Sequence, residues 1–272
     1  MISDMRPHFL AALVLCWPST SLSIVNGLPA NVVEFRSFVS LRNISPFPRH
    51  EGREINGCGG ALVAPEWVLT ALHCKPLFEN VGHGADPVFV GVNIQPDGSF
   101  GARLRITEVR MAPVLLGTAR LDAALLRLEA DATANGAAVA SIFDGELVVG
   151  FATTTVGLGM GVEGAVLEYY ASEVAEAGRC MGERADFDPV HDFCVGISGS
   201  TQRTAYGDSG GPMYVPDPGV PGAFRLAGIV KGGVKAGPTG PEETEFIRYA
   251  DVTRLRDWIR EVVEGAEPRP AD

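Results

Sequence analysis

The sequence predicts an all-β protein of sandwich or barrel type that closes with one helix, and three observations carry that expectation. Short apolar or alternating runs recur at intervals of about a dozen residues, and glycine, proline and asparagine punctuate them. Only the C-terminal segment changes its apolar period to the three-and-four spacing of a helix. With 272 residues, 46% of them hydrophobic, the chain has apolar material for one large domain or two small ones and needs no metal to fold.

The elements follow in order. Met1 to His8 is a short lead, Phe9 to Trp17 is an apolar run, and "PSTSLS" follows with small residues. This is the layout of a secretory signal peptide over residues 1–23. The apolar run is too short to span a bilayer, and no later window sustains one, so the processed protein is expected to be secreted or periplasmic and free of the membrane. Cys16 lies between the bulky Leu15 and Trp17, which argues against lipid attachment there. The candidate strands are "FVSL", "GALVA", "WVLTAL", "VFVGV", "RLRITEVRM", "AALLRL", "LVVGFATTTVG" and "FRLAGIVKGG". Between the sixth and seventh, "DATANGAAVAS" is small and polar, which sets a first half over 24–135 and a second over 142–265. In "DVTRLRDWIREVVEG", Val252, Leu255, Trp258, Ile259 and Val262 share one helical face, from a start at Asp251 or Thr253 to Gly265. The tail "AEPRPAD", 266–272, is expected to be flexible.

A formal net charge of −11 excludes a nucleic-acid surface, which needs clustered Lys and Arg, and favours solubility. Without the leader four cysteines remain, Cys58, Cys74, Cys180 and Cys194. In an exported chain that number predicts two disulfides, with three connectivities open. Zinc would call for CxxC pairs, and there are none. His191 and Cys194 with Asp186, Asp188 and Asp192 could suggest a metal site, but a disulfide at Cys194 would remove it. The segment after His73 offers calcium only Glu79 and Asp86. Asn43-Ile44-Ser45 is a glycosylation sequon followed by Pro46.

Three stretches carry chemistry. "WVLTALHCK" places His73 after an apolar strand, "RLDAALLRLE" places Asp122 before another, and "RTAYGDSGGPMY" places Ser209 among glycines. A serine hydroxyl attacks only when a histidine takes its proton, and a carboxylate must orient that imidazole through its other nitrogen. Each residue alone has an ordinary structural use, a serine beside glycine being a common turn residue. Together they supply one candidate for each role.

"IVNG" at 24–27, "CGGALVAPEWVLTALHC" at 58–74, "LDAALLRL" at 121–128, "GDSGGP" at 207–212, "LAGIV" at 226–230 and "DWI" at 257–259 cover nearly the whole processed chain. In order and rough spacing they resemble the trypsin-like, chymotrypsin-fold serine peptidases. The resemblance implies two six-stranded antiparallel β-barrels packed face to face, the site between them, and the helix against the second barrel. It makes Ser209 the nucleophile, His73 the general base and later acid, and Asp122 the group that holds the imidazole. The N–H groups of Gly207 and Ser209 become the oxyanion hole, and the disulfides become Cys58–Cys74 and Cys180–Cys194. It also implies an activation pair between a freed Ile24 amine and Asp208. Ser21-Leu22-Ser23 suits signal peptidase, and position 23 lacks the Arg or Lys of a trypsin-like zymogen, so signal cleavage itself is expected to expose Ile24. No cofactor is implied. The expected partners are a peptide or protein substrate and a proteinaceous inhibitor, and the expected state is a monomer.

The chain departs from the family around the specificity pocket, where the resemblance places Arg203, Tyr206, Lys231, Gly233 and Ile247. Arg203 stands where trypsins carry a floor aspartate, so Lys or Arg preference is expected to be lost. In its place an acidic or a small apolar side chain is expected to be preferred. Ile247 stands at a pocket glycine and Tyr206 beside the oxyanion hole. "GIVKGG" replaces "GIVSWG", so Lys231 either meets Asp122 or substrate, or points to solvent through a register shift, the outcome expected here. Ala205 removes a common cysteine. These departures keep a secreted pseudoprotease that binds through its cleft as one alternative, and a non-peptidase hydrolase or acyl transferase using the same residues as another.

Overall fold

The computed structural model describes residues 24–44, 51–79, 89–113, 121–162, 164–181, 187–233 and 245–265. The expected leader and tail, with Ser45, Asp86 and Asp186, lie outside the described residues. The first half contains β1 (Leu28–Pro29), β2 (Phe38–Ile44), β3 (Glu54–Ala64), β4 (Trp67–Thr70), β5 (Phe89–Ile94), β6 (Phe100–Met111) and β7 (Ala124–Leu128). The second contains β8 (Ala152–Gly157), β9 (Glu168–Ala175), β10 (Asp192–Gly196), β11 (Pro212–Pro216), β12 (Phe224–Gly233) and β13 (Phe246–Asp251), then helix α1 (Arg256–Gly265).

All strand pairs are antiparallel. One barrel closes in the order β2-β3-β4-β7-β6-β5. The other runs β9-β10-β13-β12-β11-β8 and closes through β8 on β9, with β1 added to β9. Two six-stranded barrels are therefore present, as the sequence motifs implied.

The continuous apolar runs have a simple cause. Side chains alternate along a strand, so a barrel strand that also faces a second barrel needs apolar residues at both parities. In β4, Val68 points into the first barrel while Trp67 and Leu69 join a cluster with residues of the second. In β7, Leu126 and Leu128 point inward and Leu125 joins the shared cluster. That cluster also holds Phe38 of β2, Val156 of β8, Tyr214 of β11 and Ile229 of β12. The second barrel has its own interior, with Val195, Met213, Val230 and Tyr249.

The helical segment begins as a 3-10 turn over Val252–Leu255 and continues as α1. Asp251 caps it by accepting the Thr253 N–H at 2.9 Å. Val252, Leu255 and Ile259 enter the shared cluster, with Trp258 and Val262 packed at its margin, so all five expected apolar positions face protein. Among the described residues no helix is long and apolar enough to cross a membrane.

Candidate active site

The first barrel supplies His73 and Asp122. β4 pairs with β7 in a register that sets Thr70 opposite Ala124. A few residues past the end of that pairing, His73 leaves on a 3-10 helix (Leu72–Leu77) and meets Asp122, which precedes β7. The contact has two points. The His73 N–H donates to Asp122 Oδ1 at 2.8 Å, and His73 Nδ1 lies 2.7 Å from Asp122 Oδ2. The Asp122 side chain is 12% exposed and the His73 ring 40%, so the acid is sheltered while the ring stays open. Burial pushes the Asp122 carboxyl up, but the His73 hydrogen bonds and charge, with the charge of Lys231, outweigh it. The net effect lies below the ordinary carboxylate value.

The second barrel supplies Ser209, whose carbonyl is held by β3 and lies against Cys74, the residue after His73. Gly59 of β3 donates its N–H to the Ser209 carbonyl at 2.8 Å, and Cys74 Sγ lies 3.7 Å from the same oxygen. Gly210 has φ +71°, and a Cβ there would stand 2.3 Å from Thr70 Oγ1, so only glycine lets the serine loop close on the end of β4. The disulfide Cys58–Cys74 ties β3 to the residue after His73, and Cys180–Cys194 ties the turn that follows β9 to β10. Both follow the pairing that the resemblance implied.

Gly207 has φ +94°, and a Cβ would fall 2.1 Å from the Gly159 carbonyl. Among the described residues, the N–H groups of Gly207 and Ser209 donate to no acceptor. Asn56 of β3, fully buried, holds this turn from behind. Its Nδ2 donates to Gly159 O at 2.6 Å and to Gly207 O at 2.8 Å, while Ser40 Oγ donates to its Oδ1 at 2.6 Å. Sequence reasoning missed Asn56. Its only signal was one polar residue just before "GCGG" in a strand that is apolar or glycine from there on.

Asp208 is completely buried and accepts the N–H groups of Gly159 and Ala205, each at 2.7 Å. Burial pushes its carboxyl up to about 7 against those two bonds, and the charge of Glu168 adds to the rise. No side-chain cation among the described residues pairs with it. Ile24 is 2% exposed, and the next residue, Val25, donates its N–H to Arg203 O at 2.9 Å.

The residues assigned to the pocket scatter more widely. Arg203 is half-buried and has no acid beside it among the described residues, and Tyr206 is 70% exposed. Gly233 ends β12 opposite Ile247, whose side chain is 2% exposed within the second barrel's interior cluster. Lys231 corrects the expectation that it reaches solvent. The register shift is present, between Val230 and Gly232, yet the side chain turns inward, 8% exposed, with Nζ 2.6 Å from Asp192 Oδ2. A buried ammonium is stable only beside a counter-ion, and Asp192 is that counter-ion. The same pair removes the metal suggestion: Asp192 serves Lys231, Asp188 binds His191 at 2.8 Å, and Cys194 is in a disulfide. Among the described residues no cluster of three metal-ligating side chains remains.

With this geometry the comparison with known proteins is unambiguous: the family model described as trypsin matches residues 24–259, and the chain belongs to that family of serine proteases. It is 28% identical over 235 residues to vitamin K-dependent protein C of Oryctolagus cuniculus, covering 78% of this chain and 48% of that protein. To trypsin of Saccharopolyspora erythraea it is 28% identical over 227 residues, covering 75% of this chain and 93% of the other. Transmembrane protease serine 9 of Rattus norvegicus is 27% identical over 255 residues, covering 90% of this chain. The chain thus spans about half of the first relative and 22% of the last.

Proposed function

We propose that the chain is an exported serine endopeptidase in which Ser209 is the nucleophile, His73 the base and Asp122 its orienting acid. The two-point contact between His73 and Asp122 carries this reading, because it fixes Nδ1 on the acid and leaves the other ring nitrogen for a serine. Ser209 Oγ attacks the peptide carbonyl as His73 takes its proton, the amine leaves with that proton, and water then releases the acyl group. Gly207 and Ser209 N–H groups stabilise the oxyanion, a contribution of about 3 kcal/mol per donor. Two disulfides among the described residues suit an oxidising compartment.

Two refinements belong to the same proposal. A freed Ile24 amine pairs with Asp208, whose buried carboxyl has only N–H partners among the described residues. Substrates with Lys or Arg before the cut are disfavoured, since Arg203 replaces an acid at the pocket floor. The pseudoprotease alternative drew on Lys231, and the pairing of that lysine with Asp192 weakens its ground.

A fluorophosphonate probe tests the core of the proposal: stoichiometric labelling is expected, and Ser209→Ala abolishes it. An unlabelled wild-type chain overturns the enzyme reading. A peptide-library digest then reads the preferred side chain, and selective cleavage after Lys or Arg overturns the role given to Arg203.

A further inference from the structure

Val39 and Leu41 of β2 point into the first barrel and Phe38 joins the shared cluster, so alternation along the strand turns Ser40 and Arg42 toward the second barrel. Ser40 backs Asn56 there, and Arg42 backs the turn beside it. Arg42 is completely buried, and its guanidinium spreads over two partners. Nη1 donates to the Gly161 carbonyl at 2.9 Å, Nε to Glu54 Oε1 at 2.9 Å and Nη2 to the Glu54 carbonyl at 3.3 Å. Arg103 Nη1 donates to the other carboxylate oxygen of Glu54 at 2.7 Å, and Arg42 Cζ lies 5.4 Å from the centre of the Phe100 ring.

The Gly161 carbonyl leads from Arg42 to the site. It also accepts the Asn56 N–H at 3.0 Å, and the Gly161 N–H donates to Leu158 O at 2.9 Å, which closes residues 158–161 into a tight turn. Just beyond, Val162 bridges to Ile55 of β3. Within this turn Gly159 donates its N–H to Asp208 Oδ1 and accepts Asn56 Nδ2, which holds Gly207 O as well. Gly159 and Gly207 meet main chain against main chain, since a Cβ on Gly207 would strike the Gly159 carbonyl. Each step from Arg42 to Gly207 is therefore a hydrogen bond or a direct main-chain contact.

We propose that Arg42 is a positioning residue for the oxyanion donors, acting on Gly207 through Gly161 and Gly159. This inference rests on the reading of the Gly207 and Ser209 N–H groups as the oxyanion hole. A buried ion pair is weak evidence of a stabilising role, because well-packed apolar side chains serve stability as well or better. What an apolar side chain cannot supply is a donor to Gly161 O. The planar guanidinium reaches that oxygen while Glu54 fixes its orientation. Holding Gly161 against the first barrel holds Gly159, and Gly159 sets where the Gly207 N–H stands relative to an oxygen bound at Ser209.

Two variants of the full chain separate position from stability. Arg42→Met removes the donor and leaves Glu54 without its buried partner. Arg42→Met combined with Glu54→Gln removes the donor but leaves no unpaired buried charge, so the double variant is expected to denature near the wild-type midpoint. In both, kcat for a peptide ester is expected to fall about five- to tenfold with KM within about twofold, since the interaction weakened is made in the transition state. A peptide aldehyde built on the side chain that the library digest selects, isotope-labelled at its carbonyl carbon, gives a direct reading. Ser209 Oγ adds to that carbon, its proton passing to His73 or to the new hemiacetal oxygen. The ionisation midpoint of that oxygen, followed by carbon NMR, is expected to rise by about half a pH unit or more in both variants, because weaker donors stabilise the oxyanion less. A double variant with wild-type kcat and wild-type ionisation overturns the proposal and leaves Arg42 as a support of the fold alone. If Arg42→Met does not fold, the double variant decides. A wild-type hemiacetal that ionises no more readily than the free aldehyde hydrate overturns the oxyanion reading and this inference with it. Fluorophosphonate labelling of the wild type shows separately whether the peptidase reading has failed.

Discussion

Asn56 does for the Gly207 turn what Asp122 does for His73: one buried side chain fixes the direction of a group that the proposed reaction uses. Removing it leaves Ser40 Oγ and the carbonyls of Gly159 and Gly207 without their partner in a fully buried place. Each such group costs about 1–3 kcal/mol, reduced where water enters. Asn56→Ala is therefore expected to lower stability by about 2–4 kcal/mol in chemical denaturation. It should also lower kcat for a peptide ester about tenfold or more, with KM little changed, because an interaction made mainly in the transition state is loosened. A variant with full kcat would show that the turn holds itself. The strings that carry His73, Asp122 and Ser209 were legible in the sequence because the proposed catalysis demands those residue types in that setting. Asn56 was not, because a buried asparagine in a strand has no distinguishing pattern until its three partners are seen around it. Lys231 was legible as a departure, but its counter-ion lies 39 residues away on β10, a distance that no local pattern spans.

At the scale of elements, the strands that carry apolar residues at both parities were the easiest to find. β9, β10, β11 and β13 were not among the expected runs, and each has a physical disguise. β9 buries Ser172 at an inward position, β10 buries Asp192 and β13 buries Arg248 in mid-strand, while β11 is bounded by Pro212 and Pro216. A polar residue that is satisfied only by tertiary contacts breaks the apolar pattern that marks a strand. The C-terminal helix, by contrast, was read correctly down to its apolar face. It holds on through Leu255 and Ile259 in the cluster both barrels share, so its loss should be felt across the molecule. Ile259→Ala is expected to cost about 2–5 kcal/mol of global stability, seen as a single cooperative denaturation transition at lower denaturant. A separate early transition for the helix alone would contradict that coupling.

For the whole molecule, the state of Ile24 should be visible in how stability depends on pH. While Ile24 sits in an internal peptide bond, Asp208 keeps a folded value of about 7 against an ordinary 3.8. Between those values the native state holds a proton that the unfolded chain has released. Its contribution is full at the acid end and is lost as pH rises through about 7. A chain that begins at Ile24 supplies an ammonium, which favours the carboxylate and removes that decline. Denaturation midpoints followed across this range should therefore fall with rising pH in the uncleaved chain, and fall less in the chain freed at Ile24. Identical slopes would count against the Ile24–Asp208 pair. The meeting of the two barrels at the site has a further mechanical consequence. Gly59 and Gly211 touch main chain to main chain, a Cβ on Gly59 standing only 2.7 Å from Gly211 Cα, and the Gly59 N–H grips the Ser209 carbonyl directly. No rotamer at this contact can take up slack, so the gap between the histidine half and the serine half is a fixed gauge. A single methyl group inserted there would act as a shim, parting the half that carries His73 from the half that carries Ser209 without altering either residue.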